Sequence, residues 1–173
     1  MKKKSGFTLF EMLLTLVIVA VVTAFALPSM RAFSQNDRLT TNINSLIGQL
    51  AYARSEAVKR SQQVAVCVSN NSETAAPSCT AGSWEDGWVV YIDEDASNTF
   101  DANEIIIKAH APLTGGNRLT PTNLGTQIIY NNRGFLASNT GSLQLCDTRT
   151  GPHGKTITLT ATGRVRLETE TAC

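Results

Sequence analysis

The sequence predicts an α+β fold: a long N-terminal α-helix, transmembrane in its first half, whose second half packs on the antiparallel β-sheet or sheets of a C-terminal globular head. Three observations predict it. Met12 to Leu27 is an apolar run broken only by Thr15 and Thr23. Leu39, Ile43, Leu46, Leu50, Ala53 and Ala57 then recur at spacings of four and three, the mark of one apolar stripe on a helix. Past Arg60 the apolar period changes to two, which is the period of strands.

Taken in order, residues 1–6 form a short basic head with Lys2, Lys3 and Lys4. Residues 7–30 form an apolar segment long enough to span a bilayer, which takes about 20 residues. The three lysines predict a cytoplasmic start and an exported remainder. One carboxylate, Glu11, sits inside this segment, and a charge near a bilayer core costs a few kcal/mol, so it marks function. A secretory signal peptide would not carry Glu11, and Ala26-Leu27-Pro28-Ser29-Met30 is a poor cleavage site. A plain membrane anchor leaves Glu11 unexplained. Residues 31–60 continue the helix as an amphipathic rod, with Arg38, Asn42, Asn44, Gln49, Arg54 and Glu56 on its polar faces. Pro28 predicts a kink or local unwinding. At 1.5 Å per residue, a helix from Phe7 to about Lys59 is roughly 80 Å long. A head this small cannot bury it whole, so its first half belongs in lipid or against other subunits.

Residues 61–173 read as a β-rich head with seven strands: Gln63–Val68, Gly87–Ile92, Ile105–Lys108, Gln127–Tyr130, Ser142–Cys146, Thr156–Thr160 and Arg164–Glu168. Asn131-Asn132-Arg133-Gly134 reads as a turn leading to Phe135 and Leu136. Four cysteines suit an oxidising compartment and allow three pairings. The favoured pairing is Cys67–Cys79, which closes a polar loop, with Cys146–Cys173, which ties down the C-terminus. His110 and His153 are remote from each other and there is no CxxC, so neither a metal centre nor a catalytic cysteine is expected. With no glycine-rich phosphate loop and no triad either, the chain reads as neither an enzyme nor a cofactor binder.

Charge is balanced overall, 15 Lys and Arg against 14 Asp and Glu, so any attraction to nucleic acid must be local. The two signs are segregated along the chain. Glu85 to Glu104 holds seven acids and no Lys or Arg, whereas Ile105 to Arg166 holds seven bases and one acid, Asp147. Asp93, Asp95, Ser97, Asp101 and Glu104 fall at offsets 1, 3, 5, 9 and 12, as in an EF-hand calcium loop, but Asn98 stands where that loop has glycine. A solvated hairpin is the default reading of that segment.

Gly6-Phe7-Thr8-Leu9-Phe10-Glu11 resembles the cleavage and methylation motif of type IV pilins and type II secretion pseudopilins. Tyr52-Ala53-Arg54-Ser55-Glu56-Ala57, the segment from Trp84 to Asp93, and Gly163-Arg164-Val165-Arg166 extend that resemblance to the GspH/FimT group across nearly the whole chain. The Cys67, Cys79 and Trp88 arrangement is similar to its FimT-type minor pilins. The resemblance implies a pilin-like fold, removal of residues 1–6 by a prepilin peptidase after Gly6, N-methylation of Phe7, and pairing of Glu11 with the terminal amine of a neighbouring subunit. It further implies a single-pass inner-membrane protein with a periplasmic head, later built with other pilins into an extracellular pilus.

FimT-type members are linked to DNA uptake in natural transformation (competence), and their Gly-Arg-x-Arg motif matches Gly163, Arg164 and Arg166. On a strand, Arg164 and Arg166 share one side about 6.5 Å apart, while Val165 and Leu167 face the core. Two exposed guanidiniums can each hold a phosphate. The segment from Thr148 to Lys155 offers Arg149 and Lys155 from a glycine-containing loop. No aromatic is interleaved with these bases, so duplex backbone contact independent of sequence is expected rather than base stacking. The competing reading is surface ion pairing of the arginines with Glu168 and Glu170, worth about 0–1 kcal/mol. Alternatives for the whole chain are a minor pilin that primes or caps assembly without binding DNA, and a type II secretion pseudopilin of the H type.

Overall fold

Strands that must be buried on both faces need continuous apolar sequence, and the first two strands of the head have it. In the computed structural model, which describes residues 6, 8–80, 82–101 and 103–173, β1 (Gln63–Val68) and β2 (Trp88–Asp93) bury nearly every side chain. The remaining elements are α1 (Leu9–Arg60), β3 (Ile105–His110), β4 (Arg118–Thr122), β5 (Gln127–Tyr130), β6 (Gly141–Cys146), β7 (Gly154–Leu159) and β8 (Val165–Thr171), with one 3-10 turn at Trp84–Asp86. The chain divides into two units, one ending at Asp37 and one from Arg38 to Cys173.

In the first unit α1 begins at Leu9. Leu9, Phe10, Phe25 and Phe33 are 70–79% exposed, and the long apolar stretch buries nothing. Its hydroxyls turn inward: Thr15 donates to the Met12 carbonyl at 2.9 Å and Thr23 to the Val19 carbonyl at 2.8 Å. Such back-bonding pairs both hydroxyls within the helix itself, as a lipid-facing surface requires. The unwinding expected at Pro28 is absent, and helix runs unbroken from Leu9 to Arg60. Proline's fixed φ is itself helical, so the segment stays helical although the Pro28 nitrogen has no hydrogen to donate.

In the second unit the predicted stripe is the buried face of α1, with Leu39, Ile43, Leu46, Leu50, Ala53 and Ala57 each at most 1% exposed. Two four-stranded antiparallel sheets accompany it, ordered β3-β2-β1-β5 and β4-β6-β7-β8. The first sheet sends Val64, Val66, Val68, Trp88 and Val90 into the main core with the helix. Its other face, with Ala65, Cys67, Val89, Tyr91 and Ile129, builds a smaller cluster closed by Cys79, Phe100 and Ile106. Disulfides join Cys67 to Cys79 and Cys146 to Cys173. Trp88 ties helix to sheet by donating its indole N–H to the buried Gln49 Oε1 at 2.7 Å, and it stacks on His110 at 4.0 Å. Burial holds the His110 imidazole below its usual pKa, which makes it a packing group.

All seven predicted strands are present, but β4 escaped prediction because Pro121 sits inside it. Proline is tolerated there because β4 is a sheet edge, with only β6 as neighbour. Asn131 to Gly134 forms the expected turn, closed by the Gly134 N–H to the Asn131 carbonyl.

Candidate functional site

The first candidate lies at the start of α1. Leu9 opens the helix, so Thr8 occupies the N-cap and Glu11 the third helical position. The Glu11 carboxylate accepts from the Thr8 N–H at 2.8 Å and from its hydroxyl at 3.0 Å, and the Glu11 N–H donates back to Thr8 Oγ1 at 3.2 Å. This reciprocal capping box satisfies helix-end donors, and the spacing Thr8-x-x-Glu11 is its sequence signature, within reach of local pattern alone. Gly6 is exposed. Phe7 and the three lysines lie outside the described residues.

The second candidate is the turn between β7 and β8. Thr160 N–H bonds the Arg164 carbonyl, leaving a three-residue loop that ends in Gly163 at φ 74°, the left-handed position such hairpins require. Gly163 is buried. A Cβ there would collide with the Gly134 carbonyl oxygen and come within 3.1 Å of Arg54 Nε and 3.2 Å of the Tyr130 ring. Arg54, from α1, donates to the Gly134 carbonyl at 2.9 Å and to the Thr162 carbonyl at 3.0 Å. The Leu136 N–H bonds the Ala161 carbonyl at 3.0 Å. Two turns remote in sequence are thus fused into one support, and the glycine of the motif is a structural member of it.

Arg164 and Arg166 both leave this support exposed. Arg164 precedes β8 rather than lying within it. Arg166 lies opposite Thr158, and its side chain is 78% exposed. Its contact with Glu168 is long, 3.8 Å, and solvent screens it. Glu170 leaves the regular register at φ 60°, beside the irregularity at Gly154 and Lys155. Val165 packs on the core as expected. Leu167 lies opposite the buried Ile157 yet stays 39% exposed, because β8 is a sheet edge and the core does not reach across it.

The other two bases do not join them. Arg149 is pinned by Asp147 through its Nη2 at 2.6 Å and its Nε at 2.8 Å, with only 20% of its side chain exposed. Burial works against the Asp147 charge, but the hydrogen bonds from Arg149 outweigh it and hold that carboxyl below its usual pKa. Lys155 is half-buried and lies opposite the buried Leu145, on the face of the sheet that carries Ile157 and Leu159. Arg166 opposes Thr158, which belongs to the other face.

The acidic loop closes on itself. Asp93, 1% exposed, accepts from the Ser97 and Asn98 N–H groups, and Asn98 adopts φ 61°. Asp93, Asp95 and Glu104 bring carboxylate oxygens within 4.8 Å of one another. The Ser97 hydroxyl turns away to the Thr99 carbonyl, and the Asp101 N–H donates to Glu104. Burial pushes the Glu104 carboxyl up to about 7, helped by the charges of Asp93, Asp101 and Asp95 and opposed by that hydrogen bond. A carboxyl raised in the folded state binds its proton more tightly there than in the unfolded chain. Its contribution to stability is complete below about 4.5 and is lost as pH rises through about 7. Glu104→Gln is therefore expected to gain stability on the parent protein across that window, with the difference levelling off above it. Denaturant midpoints measured along the pH axis check this; parallel profiles would refute it.

Residues 42–163 match the family profile described as type II transport protein GspH, and residues 1–27 match the prokaryotic N-terminal methylation motif. No curated protein matches the chain. Among solved structures, the type IV minor pilin FimU of Pseudomonas aeruginosa (strain PAO1) shares the fold in two crystal forms. One is 17% identical, covering 82% of this chain and 96% of that one, with a TM-score of 0.63. The other is 18% identical, covering 78% and 97%, with a TM-score of 0.59. Likeness at that identity speaks for the fold, a single long helix with two antiparallel sheets in the head. The profile covers well over half of the chain, and the chain therefore belongs to the GspH/FimT family of type IV minor pilins and pseudopilins.

Proposed function

We propose that this chain is a minor pilin of a type IV pilus that contacts duplex DNA for uptake in natural transformation. Cleavage after Gly6 and methylation of Phe7 leave the apolar helix on the mature protein. The helix holds the chain in the inner membrane, head in the periplasm, and later in the fibre against the helices of other pilins. Glu11 would there exchange its Thr8 partner for a neighbour's terminal ammonium. The observation that carries the DNA reading is the pair Arg164 and Arg166, both exposed and two residues apart at the end of a hairpin whose turn is clamped by Arg54. A rigid support keeps the ordering cost of phosphate binding low. Arg149, tied to Asp147, and Lys155, on the inner face of its sheet, contribute little to this surface.

Among the described residues the buried core hydrophobics all lie between Leu39 and Leu159, so a head fragment beginning near Gln35 keeps that core and is expected to fold by itself. This fragment is expected to bind duplex DNA of any sequence with affinity that falls steeply with salt. Arg164→Ala with Arg166→Ala should reduce the slope of log K against log salt by about 1.8, two contacts at about 0.9 each. Titration by fluorescence anisotropy at several salt concentrations reads it. An unchanged slope in the double variant would remove the site. No binding by the parent head would favour the GspH-like alternative, a pseudopilin or a purely structural minor pilin.

A further inference from the structure

We propose that the DNA-binding surface is a platform built where two turns meet, and that Arg133 and Lys59 belong to it together with Arg164. The inference rests on the DNA reading above and extends it to residues outside the Gly163-Arg164-x-Arg166 motif. Gly134 and Gly163 are in direct backbone contact, and each is followed or preceded by an arginine: Arg133 comes just before Gly134 and Arg164 just after Gly163. The Leu136-to-Ala161 hydrogen bond and the double clamp of Arg54 fix the two turns against each other. Two cations separated by 31 positions in sequence therefore project from adjoining points of one rigid support. Both side chains are exposed, and among the described residues no acid forms an ion pair with either.

Lys59 completes the platform from the last turn of α1. Val58 reaches within 3.0 Å of where a Gly134 Cβ would sit, and Lys59, Arg54 and Arg164 line, with the apolar Ile47, Val58 and Val165, one open groove of about 730 Å³, beside which Arg133 stands on the neighbouring turn. The Lys59 side chain is 74% exposed. The carboxylate nearest to it, Glu56, is only 8% exposed and is held more closely by Arg60, at 2.6 Å, than by Lys59, at 3.4 Å. The platform thus keeps a net positive charge. Asp93 and Glu94 mark its border, since they line the next cleft with Asn131 and Asn132. A polyanion would be repelled from that acidic side and held toward the cations. Several cations on a fixed frame suit the regular phosphates of a duplex, which present one charge per about 1.7 Å of axis.

The test uses the head fragment and a short duplex of arbitrary sequence. Arg133→Ala is expected to lower the salt slope by about 0.9 and to weaken binding about tenfold at 0.1 M salt. Arg133→Lys should retain most of the affinity, and Lys59→Ala should show a smaller loss in the same direction. The thermal transition of Arg133→Ala should stay at the parent's temperature, because that side chain is exposed. If Arg133→Ala and Lys59→Ala bind like the parent while the Arg164 and Arg166 double variant does not, the platform is wrong and the motif alone carries the contact. If the parent head shows no salt-dependent binding, the DNA reading falls first. If Arg133→Lys loses as much as Arg133→Ala, a shape effect rather than charge explains the loss, and the platform assignment is overturned.

Discussion

Gly163→Ala is expected to destabilise the head by about 3 kcal/mol or more, a large effect for a single added methyl group. The left-handed backbone at φ 74° costs an L-residue about 1–2 kcal/mol. The added carbon also meets the Gly134 carbonyl and the Arg54 guanidinium, so the two turns must part. Parting them breaks the hydrogen bonds of Arg54, and bonds to a charged group are worth about 1.5–3 kcal/mol each. For a domain of this size the melting temperature should fall by roughly 10 °C. Calorimetry on the head fragment checks it, and a loss under about 1 kcal/mol would show that the junction is not rigid. DNA binding by this variant should also drop, although no cation has been removed. Paired with Arg164→Ala, which should keep the parent's stability, it separates the supporting residue of the motif from its contacting residues.

Glu11→Gln should keep the start of α1 intact and still fail to enter a fibre. Glutamine can serve in a capping box as glutamate does, so the hydrogen bonds with Thr8 survive the change. The negative charge does not. If Glu11 pairs with a neighbour's terminal ammonium among apolar helices, removing one partner of that buried pair costs about 3–5 kcal/mol. That corresponds to more than a hundredfold in the assembly equilibrium. Glu11→Ala should fail likewise, and both variants should still be cleaved after Gly6. Immunoblots of sheared fibres against the membrane fraction read the partition, and mass spectrometry of the membrane form reads the processing. Fibres containing Glu11→Gln at parental levels would assign the carboxylate to capping alone.

Much of the head was readable because its signals are local. The stripe from Leu39 to Ala57 predicted the buried face of α1, and the change of period at Arg60 placed β1. β4 was missed because a proline argues against a strand unless the strand is known to be an edge, and edges are defined only by neighbours. Leu167 alternates correctly with Arg166 but stays partly exposed for the same reason. Arg149 looked like a free base, and its proximity to Asp147, two residues away, was visible without revealing that the carboxylate would be buried and committed to it.

The amino-acid order by itself determined the apolar rod with its one carboxylate, the capping pattern at its start, the family motifs and the period of every strand but β4, since all of these depend on neighbours within a few residues. Tertiary structure decided which bases share a surface. Arg54, Gly134 and Gly163 come from three separate stretches of chain, and only the docking of a helix on two turns brings them together, with Arg133 and Arg164 as the neighbours of the two glycines. A strand's period says on which side a lysine or arginine lies, but exposure and charge pairing depend on what the rest of the chain brings beside it.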